Sequence, residues 1–167
     1  MKPIIFPKID GGKLEIGIEA LTQMQKYIQD NNFKREAGGV LLGRYIKDSL
    51  DVVVDEVTVP MWGDRRGWFN FFRARRPHQK IIDRRWKESG GTINYLGEWH
   101  THPESIPTPS SRDINDWERK LDEDFFDSDS LHFIILGIEG LRVWELSKKS
   151  LTRELIGEFW YSEMKNG

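Results

Sequence analysis

Short apolar runs rich in β-branched residues alternate along this chain with stretches whose apolar residues recur at helical spacing, and that alternation restricts its fold more than any other feature. Gly39 to Ile46 and Leu50 to Val59 read as two paired strands, parted by Lys47-Asp48-Ser49 and ended at Pro60. Before them, Ile18, Leu21, Met24 and Ile28 predict a core-facing helix over 18–30 that stops at Asp30-Asn31-Asn32. Pro77 opens a second helix whose apolar stripe is Ile81, Ile82 and Trp86, closed by Ser89-Gly90-Gly91. Thr92 to His102 then reads as a strand, and Ile114, Trp117 and Leu121 mark a third helix over 111–123. Leu131 to Ile138 and Leu141 to Leu146 form a hairpin around Glu139-Gly140, while the segment to Trp160 suits either strand or helix. Elements in this order predict an α/β (α+β) layer fold with a central mixed β-sheet flanked by helices.

At 167 residues the chain can bury about 70% of the surface its unfolded form exposes, and no repeat, low-complexity tract or linker divides it. Residues 1–167 are therefore expected to form a single domain. With 25 basic and 27 acidic residues nearly cancelling, and no apolar run near the ~18 residues of a membrane span, the composition is that of a soluble globular protein. Proline at positions 3 and 7 breaks the N-terminus before a secretory h-region can form, which points to the cytoplasm. The absence of cysteine excludes thiol proteases, Cys-ligated zinc ribbons, redox pairs and the zinc deaminase site. Any metal must sit on carboxylates and on the four histidines, His78, His100, His102 and His132.

Chemistry concentrates in Gly97-Glu98-Trp99-His100-Thr101-His102-Pro103 and Pro109-Ser110-Ser111-Arg112-Asp113. Alternate residues of a strand share a face, so His100 and His102 can converge on one ion. Asp113 arrives after a loop stiffened by Pro103, Pro107 and Pro109, at the start of a helix, where it can serve as the third ligand. Three protein ligands leave a fourth position for water, the pattern of a catalytic zinc, which lowers the pKa of that water from 15.7 toward ~7. A carboxylate that is not a ligand must then carry the proton, and Glu36, next to the first strand, is a candidate. Ser110 can donate its hydroxyl to a tetrahedral oxyanion. Taken alone, Ser110-x-x-Asp113 is a helix N-cap with an acidic first turn; the two same-face histidines upstream are what that account leaves unexplained.

Glu36 before Gly38-Gly39-Val40-Leu41-Leu42-Gly43, then His100-x-His102-Pro103, then Ser110-x-x-Asp113 with ten residues between His102 and Asp113, resembles the JAB/MPN (JAMM) zinc metalloproteases. The resemblance implies a cytidine-deaminase-like MPN fold over residues 1–167, one Zn2+ on His100, His102 and Asp113, Glu36 as general acid/base and Ser110 as oxyanion donor. Tyr95 to Glu104, Pro107-x-Pro109-Ser110 and Trp117 are similar more narrowly to the stand-alone bacterial JAB isopeptidases of CBASS antiphage operons. Those remove targets attached to the C-terminus of a cGAS-like nucleotidyltransferase, so the implied substrate is such a conjugate, or a ubiquitin-like one, with an extended C-terminal tail. An E1/E2-like conjugating enzyme is the implied functional partner. Unlike eukaryotic ubiquitin isopeptidases, the chain carries Glu98 between Gly97 and Trp99, which makes Glu98 a rival for the base.

The stretch Asp64 to Arg76 mixes cations with aromatics, and Trp68, Phe69, Phe71 and Arg73 are candidates to line a groove for an extended tail added alongside a strand. The competing reading is a strand with core aromatics and solvated arginines; single-stranded nucleic acid is the weakest reading, and no membrane partner is expected. His78 and His132 are expected to be structural. Two alternatives to the leading function stand: a metal-free MPN-type scaffold, or a JAB peptidase of another bacterial ubiquitin-like pathway.

Overall fold

The computed structural model describes residues 1–166. Strands β1 (Ile4–Pro7) and β2 (Lys13–Ile16) lead into α1 (Ile18–Gln25), β3 (Gly38–Tyr45) and β4 (Val52–Val57). A small hairpin, β5 (Arg65–Arg66) and β6 (Phe71–Phe72), precedes α2 (Arg75–Glu88), β7 (Asn94–Thr101) and α3 (Ser111–Glu123). The strands β8 (Ser130–Leu136), β9 (Gly140–Ser147) and β10 (Thr152–Trp160) follow, with a 3-10 helix at Tyr161–Asn166. Eight strands make one mixed sheet in the order β1-β2-β4-β3-β7-β8-β9-β10, so the mixed α/β architecture is as the sequence predicts. No helix among the described residues is long and apolar enough to cross a membrane.

The sheet buries both faces. Leu21 and Met24 of α1 cover Leu14, Ile16, Leu41, Ile134 and Val143 on one side. On the other, Trp117 and Leu121 of α3 cover Val40, Leu42, Phe133 and Ile135. A strand covered on two sides loses its polar alternation, which is why β8 runs Phe133-Ile134-Ile135-Leu136 without a polar residue. Trp117 fixes α3 by stacking on Phe133 at 4.8 Å between ring centroids and meeting Trp144 at 5.5 Å.

Three boundaries differ from the sequence reading. Helix α1 ends at Gln25 instead of 30, because the chain tightens into bonds from Tyr27 N to Met24 O and Ile28 N to Gln25 O; Ile28 still packs on the core. Helix α2 begins at Arg75, and Pro77 sits inside its first turn, where a missing N–H costs no helical bond. Strands β1 and β2 have no counterpart in the sequence reading: in β1 the outward Ile5 is as apolar as the buried Ile4 and Phe6, so no alternation marks it. The segment ending at Trp160 is a strand, and its Gly157 lets the outer strands meet, since a Cβ there would lie 2.2 Å from Phe6 Cδ1.

One irregularity positions the chemistry. Strand β7 carries an extra residue opposite Leu41 and Leu42, and there Gly97 has φ +139° with His132 O only 1.8 Å from where a Cβ would sit, so only glycine fits. Leu96 and Trp99, an odd number of residues apart, consequently lie in the same core cluster. The bulge has switched the parity of the strand, which turns His100 and His102 toward α3.

The long segment between β4 and α2 is anchored by Asp64. Its carboxylate accepts from Met61 N at 2.7 Å and Ala74 N at 2.7 Å and faces His78 Nε2 at 3.0 Å. His78 Nδ1 in turn lies 2.6 Å from the Thr58 hydroxyl, which accepts from Val40 N. Burial holds the His78 imidazole below its ordinary value, so it is a structural, neutral member of this chain of bonds. Asp64→Ala leaves three donors without an acceptor and is expected to destabilise the fold by about 2–4 kcal/mol, read from urea unfolding at neutral pH.

Candidate metal centre and cleft

The end of β7 is clasped on both sides. Thr101 N donates to Ala37 O at 2.9 Å, Ala37 N donates to Thr101 Oγ1 at 3.0 Å, and His102 N donates to Leu136 O at 2.9 Å. Glu36, one residue upstream of Ala37, is thereby carried to the histidines, its Oε1 3.9 Å from His102 Nε2. The β5–β6 hairpin grips its backbone from outside: Glu36 N donates to Gly67 O at 2.8 Å and Arg66 Nε donates to Glu36 O at 2.9 Å. The buried amide of Gln29 lies 3.0 Å from Thr101 Oγ1, behind the same junction.

Ser110 caps α3 in a capping box, with Asp113 N donating to Ser110 Oγ at 3.1 Å and Ser110 N donating to Asp113 Oδ2 at 2.7 Å. The N-cap reading and the ligand reading are therefore compatible. The cap holds Asp113 so that Oδ1 lies 3.4 Å from His100 Nε2 and Oδ2 lies 3.2 Å from His102 Nε2. The two imidazole nitrogens are 3.0 Å apart. Ligands at 2.0–2.1 Å around a tetrahedral ion stand about 3.3 Å from one another. The two imidazole nitrogens stand about that far apart and each has a different Asp113 oxygen at a similar distance, with one ligand atom from each residue within 4.8 Å of the others, so these residues fit a metal such as zinc; among the described residues they form the one group of three His or carboxylate side chains placed to do so.

Electrostatics separates the two carboxylates. Burial pushes Glu36 up to about 7, against the pull of His102, which poises it between base and acid. Asp113 is also raised by burial, but hydrogen bonds to His100 and His102 outweigh this and hold it well below the usual carboxylate range. For His102, burial lowers the imidazole while Asp113, Glu36 and Glu104 raise it, with a net rise.

Residues that the sequence left in competition have different surroundings in the structure. Glu98 is fully committed: Arg73 Nε donates to it at 2.6 Å and Lys120 Nζ donates to its other oxygen. Burial raises its carboxyl, but those two cations bring it below its ordinary value, so it has neither the proton affinity nor the freedom of a base. Arg73, its side chain 12% exposed, is held in that pair while it lines the cavity shared by Glu36, His100 and Asp113. The aromatics of the hairpin are not core either: Phe69 is 81% exposed and Phe72 48%. Phe69, Phe71 and Phe72 form one wall of a cleft whose other wall is Ser110, Arg112, Asp113 and Asp116 of α3. Trp68, half-exposed at the hairpin turn, does not line it. Arg112 spans the cleft, its guanidinium 5.5 Å from the Phe72 ring centroid. His132 lies away from the centre, buried beside Glu145.

The sequence pattern of the prokaryotic homologs of the JAB domain matches residues 20–147. A Vibrio cholerae protein named CD-NTase/cGAS isopeptidase is 35% identical over 83% of this chain and 82% of its own length. Proteins of the same name from Pseudomonas aeruginosa and Escherichia coli are 38% and 32% identical, over 64% and 70% of this chain and 66% and 74% of their own lengths. The solution structure of protein DSY2949 from Desulfitobacterium hafniense shares the fold, covering 84% of this chain and 87% of its own at a TM-score of 0.55 and 19% identity. The matched span runs from α1 to the end of β9 and takes in both the strand pair that carries Glu36 to the histidines and the loop and helix that bring Asp113 back, so this chain belongs to the prokaryotic JAB family.

Proposed function

We propose that the chain, acting as one domain over residues 1–167, is a zinc-dependent isopeptidase that frees the C-terminus of a cGAS-like CD-NTase from the group conjugated to it. The observation that carries this is the convergence of His100, His102 and Asp113, with one ligand atom from each within 4.8 Å of the others, beside a buried carboxylate, Glu36, whose nearest cationic partner, His102, is 3.9 Å away. A zinc ion on those three residues would supply a water of pKa near ~7 and a Lewis acid for the scissile carbonyl. Glu36 takes a proton from the attacking water as its oxygen bonds to the acyl carbon, then returns it to the leaving lysine amine as the C–N bond breaks. The Oγ of Ser110 already accepts from Asp113 N, which leaves its own proton free for the oxyanion.

The cleft between β6 and α3 suits an extended tail. Among the described residues strand β6 pairs only with β5, so its outer edge is open to an added strand, while Phe69, Phe71 and Arg112 supply side-chain contacts. The names of the relatives support a CD-NTase as the owner of that tail, and the reaction presupposes an E1/E2-like enzyme that made the conjugate. We place the activity in the cytoplasm with that substrate.

The test is a CD-NTase carrying a C-terminal protein extension, incubated with the chain in zinc or in 1,10-phenanthroline and followed by mass spectrometry. Release of the unextended nucleotidyltransferase in zinc alone is expected. Cleavage of a ubiquitin-like fusion in its place would assign the chain to another conjugation pathway, and cleavage that survives the chelator would remove zinc from the mechanism.

A further inference from the structure

The two histidines at the end of β7 are not held alike. His102 Nδ1 lies 2.9 Å from Glu104 Oε1, whereas among the described residues the ring of His100 is steadied by Trp117, at 6.4 Å between centroids, and by no carboxylate on its far nitrogen. Glu104 is set in place through its backbone: Ile138 N donates to Glu104 O at 2.7 Å and Glu139 N to Ser105 O at 2.9 Å, pinning the turn after Pro103 onto the β8–β9 connection. Its side chain is 46% exposed, so the contact contributes little to folding. What it does contribute is direction. With the Nδ1 proton donated to Glu104, the imidazole must present its Nε2 lone pair to His100 and Asp113, the tautomer that a metal requires, and the adjacent negative charge makes that lone pair a stronger donor.

We propose that Glu104 is a positioning residue of the metal centre: it fixes the tautomer and ring angle of His102 and makes His102 the stronger of the two imidazole ligands. This rests on the reading of His100, His102 and Asp113 as a zinc site. Competition for Zn2+ against a chromophoric chelator, for wild type, Glu104→Ala and Glu104→Gln, tests it, with thermal melting in excess EDTA run in parallel. Zinc affinity falls about 10–100-fold in Glu104→Ala. It falls less in Glu104→Gln, whose amide oxygen still accepts the Nδ1 proton without the charge. The melting point in EDTA stays that of wild type for both variants. Unchanged zinc affinity in Glu104→Ala overturns the proposal, and so does a lowered melting point in EDTA large enough to account for the weaker binding. A wild-type chain that takes up no zinc overturns the zinc reading itself, a result distinguishable from either of these.

Discussion

Glu36→Gln is expected to slow cleavage by about 10²–10⁴-fold while the protein stays folded and takes up zinc as before, because the substitution removes the proton carrier and leaves His100, His102 and Asp113 in place. The carboxyl is 4% exposed and its backbone is held at both ends by the hairpin, so the isosteric amide fits the same space. Retained activity would return the base to another group, and Glu98, locked between Arg73 and Lys120, is not available for it. The same variant has a second readout in the protein stripped of metal. An unfolded Glu titrates near 4.5 and Glu36 in the fold near 7, so the native state holds the extra proton in that window and stability falls as pH rises through it. The loss amounts to about 3 kcal/mol. His102 acts in the same direction: its raised value stabilises the fold below the ordinary histidine range, and that contribution is lost as pH rises past it. Asp113, held low, keeps its contribution across the whole interval. Urea midpoints in EDTA from pH 5 to 8 should therefore decline steeply in wild type and much less in Glu36→Gln; parallel curves for the two would show that Glu36 does not titrate in this range.

The second large effect is loss of metal. His102→Ala should bring a zinc content of about one per chain close to zero by elemental analysis, with cleavage falling to background, since two ligands cannot hold a catalytic zinc. His102 is buried at 7% exposure, so the void it leaves also weakens the fold, and Asp113→Asn is the cleaner partner. The asparagine oxygen can still accept the Ser110 backbone N–H and keep the capping box, which is worth about 1 kcal/mol, while the charged ligand is gone. Zinc lost from a fully folded Asp113→Asn would separate the ligand role of this residue from its cap. Zinc retained in both variants would leave the metal reading without support.

Much of this molecule is legible in its residues one by one. The apolar stripe Ile114, Trp117 and Leu121 marks α3, and Trp117 is indeed what docks that helix on β8 and β9. The spacing of His100, His102 and Asp113 marks a candidate metal centre because strand periodicity and a helix start impose short-range geometry that sequence alone carries. Glu104 escaped because its role depends on a turn pinned by Ile138 and Glu139, more than thirty residues away. Gln29 and Arg66 escaped for the same reason, since Gln29 meets Thr101 and Arg66 meets the backbone of Glu36 only in the folded chain. The aromatic stretch Trp68 to Phe72 reads equally as core or as surface, because a hydrophobic residue is no less so when it lines a cleft.

Local spacing thus determined which side chains are candidates for the chemistry, how most of the helices and strands alternate, and that helices flank the sheet. The tertiary structure decided which of them meet. Strict alternation from Leu96 would have pointed both histidines at the α1 face; the extra residue at Gly97, permitted by a φ of +139° and required by the approach of His132 O, turned them to α3 and Asp113. Tertiary pairing also assigned the two competing glutamates, neutralising Glu98 with two cations from α3 and the α2 approach while leaving Glu36 buried beside His102. Proton affinity is set by burial and by neighbouring charge, and both belong to the folded surroundings of a residue, not to its place in the chain.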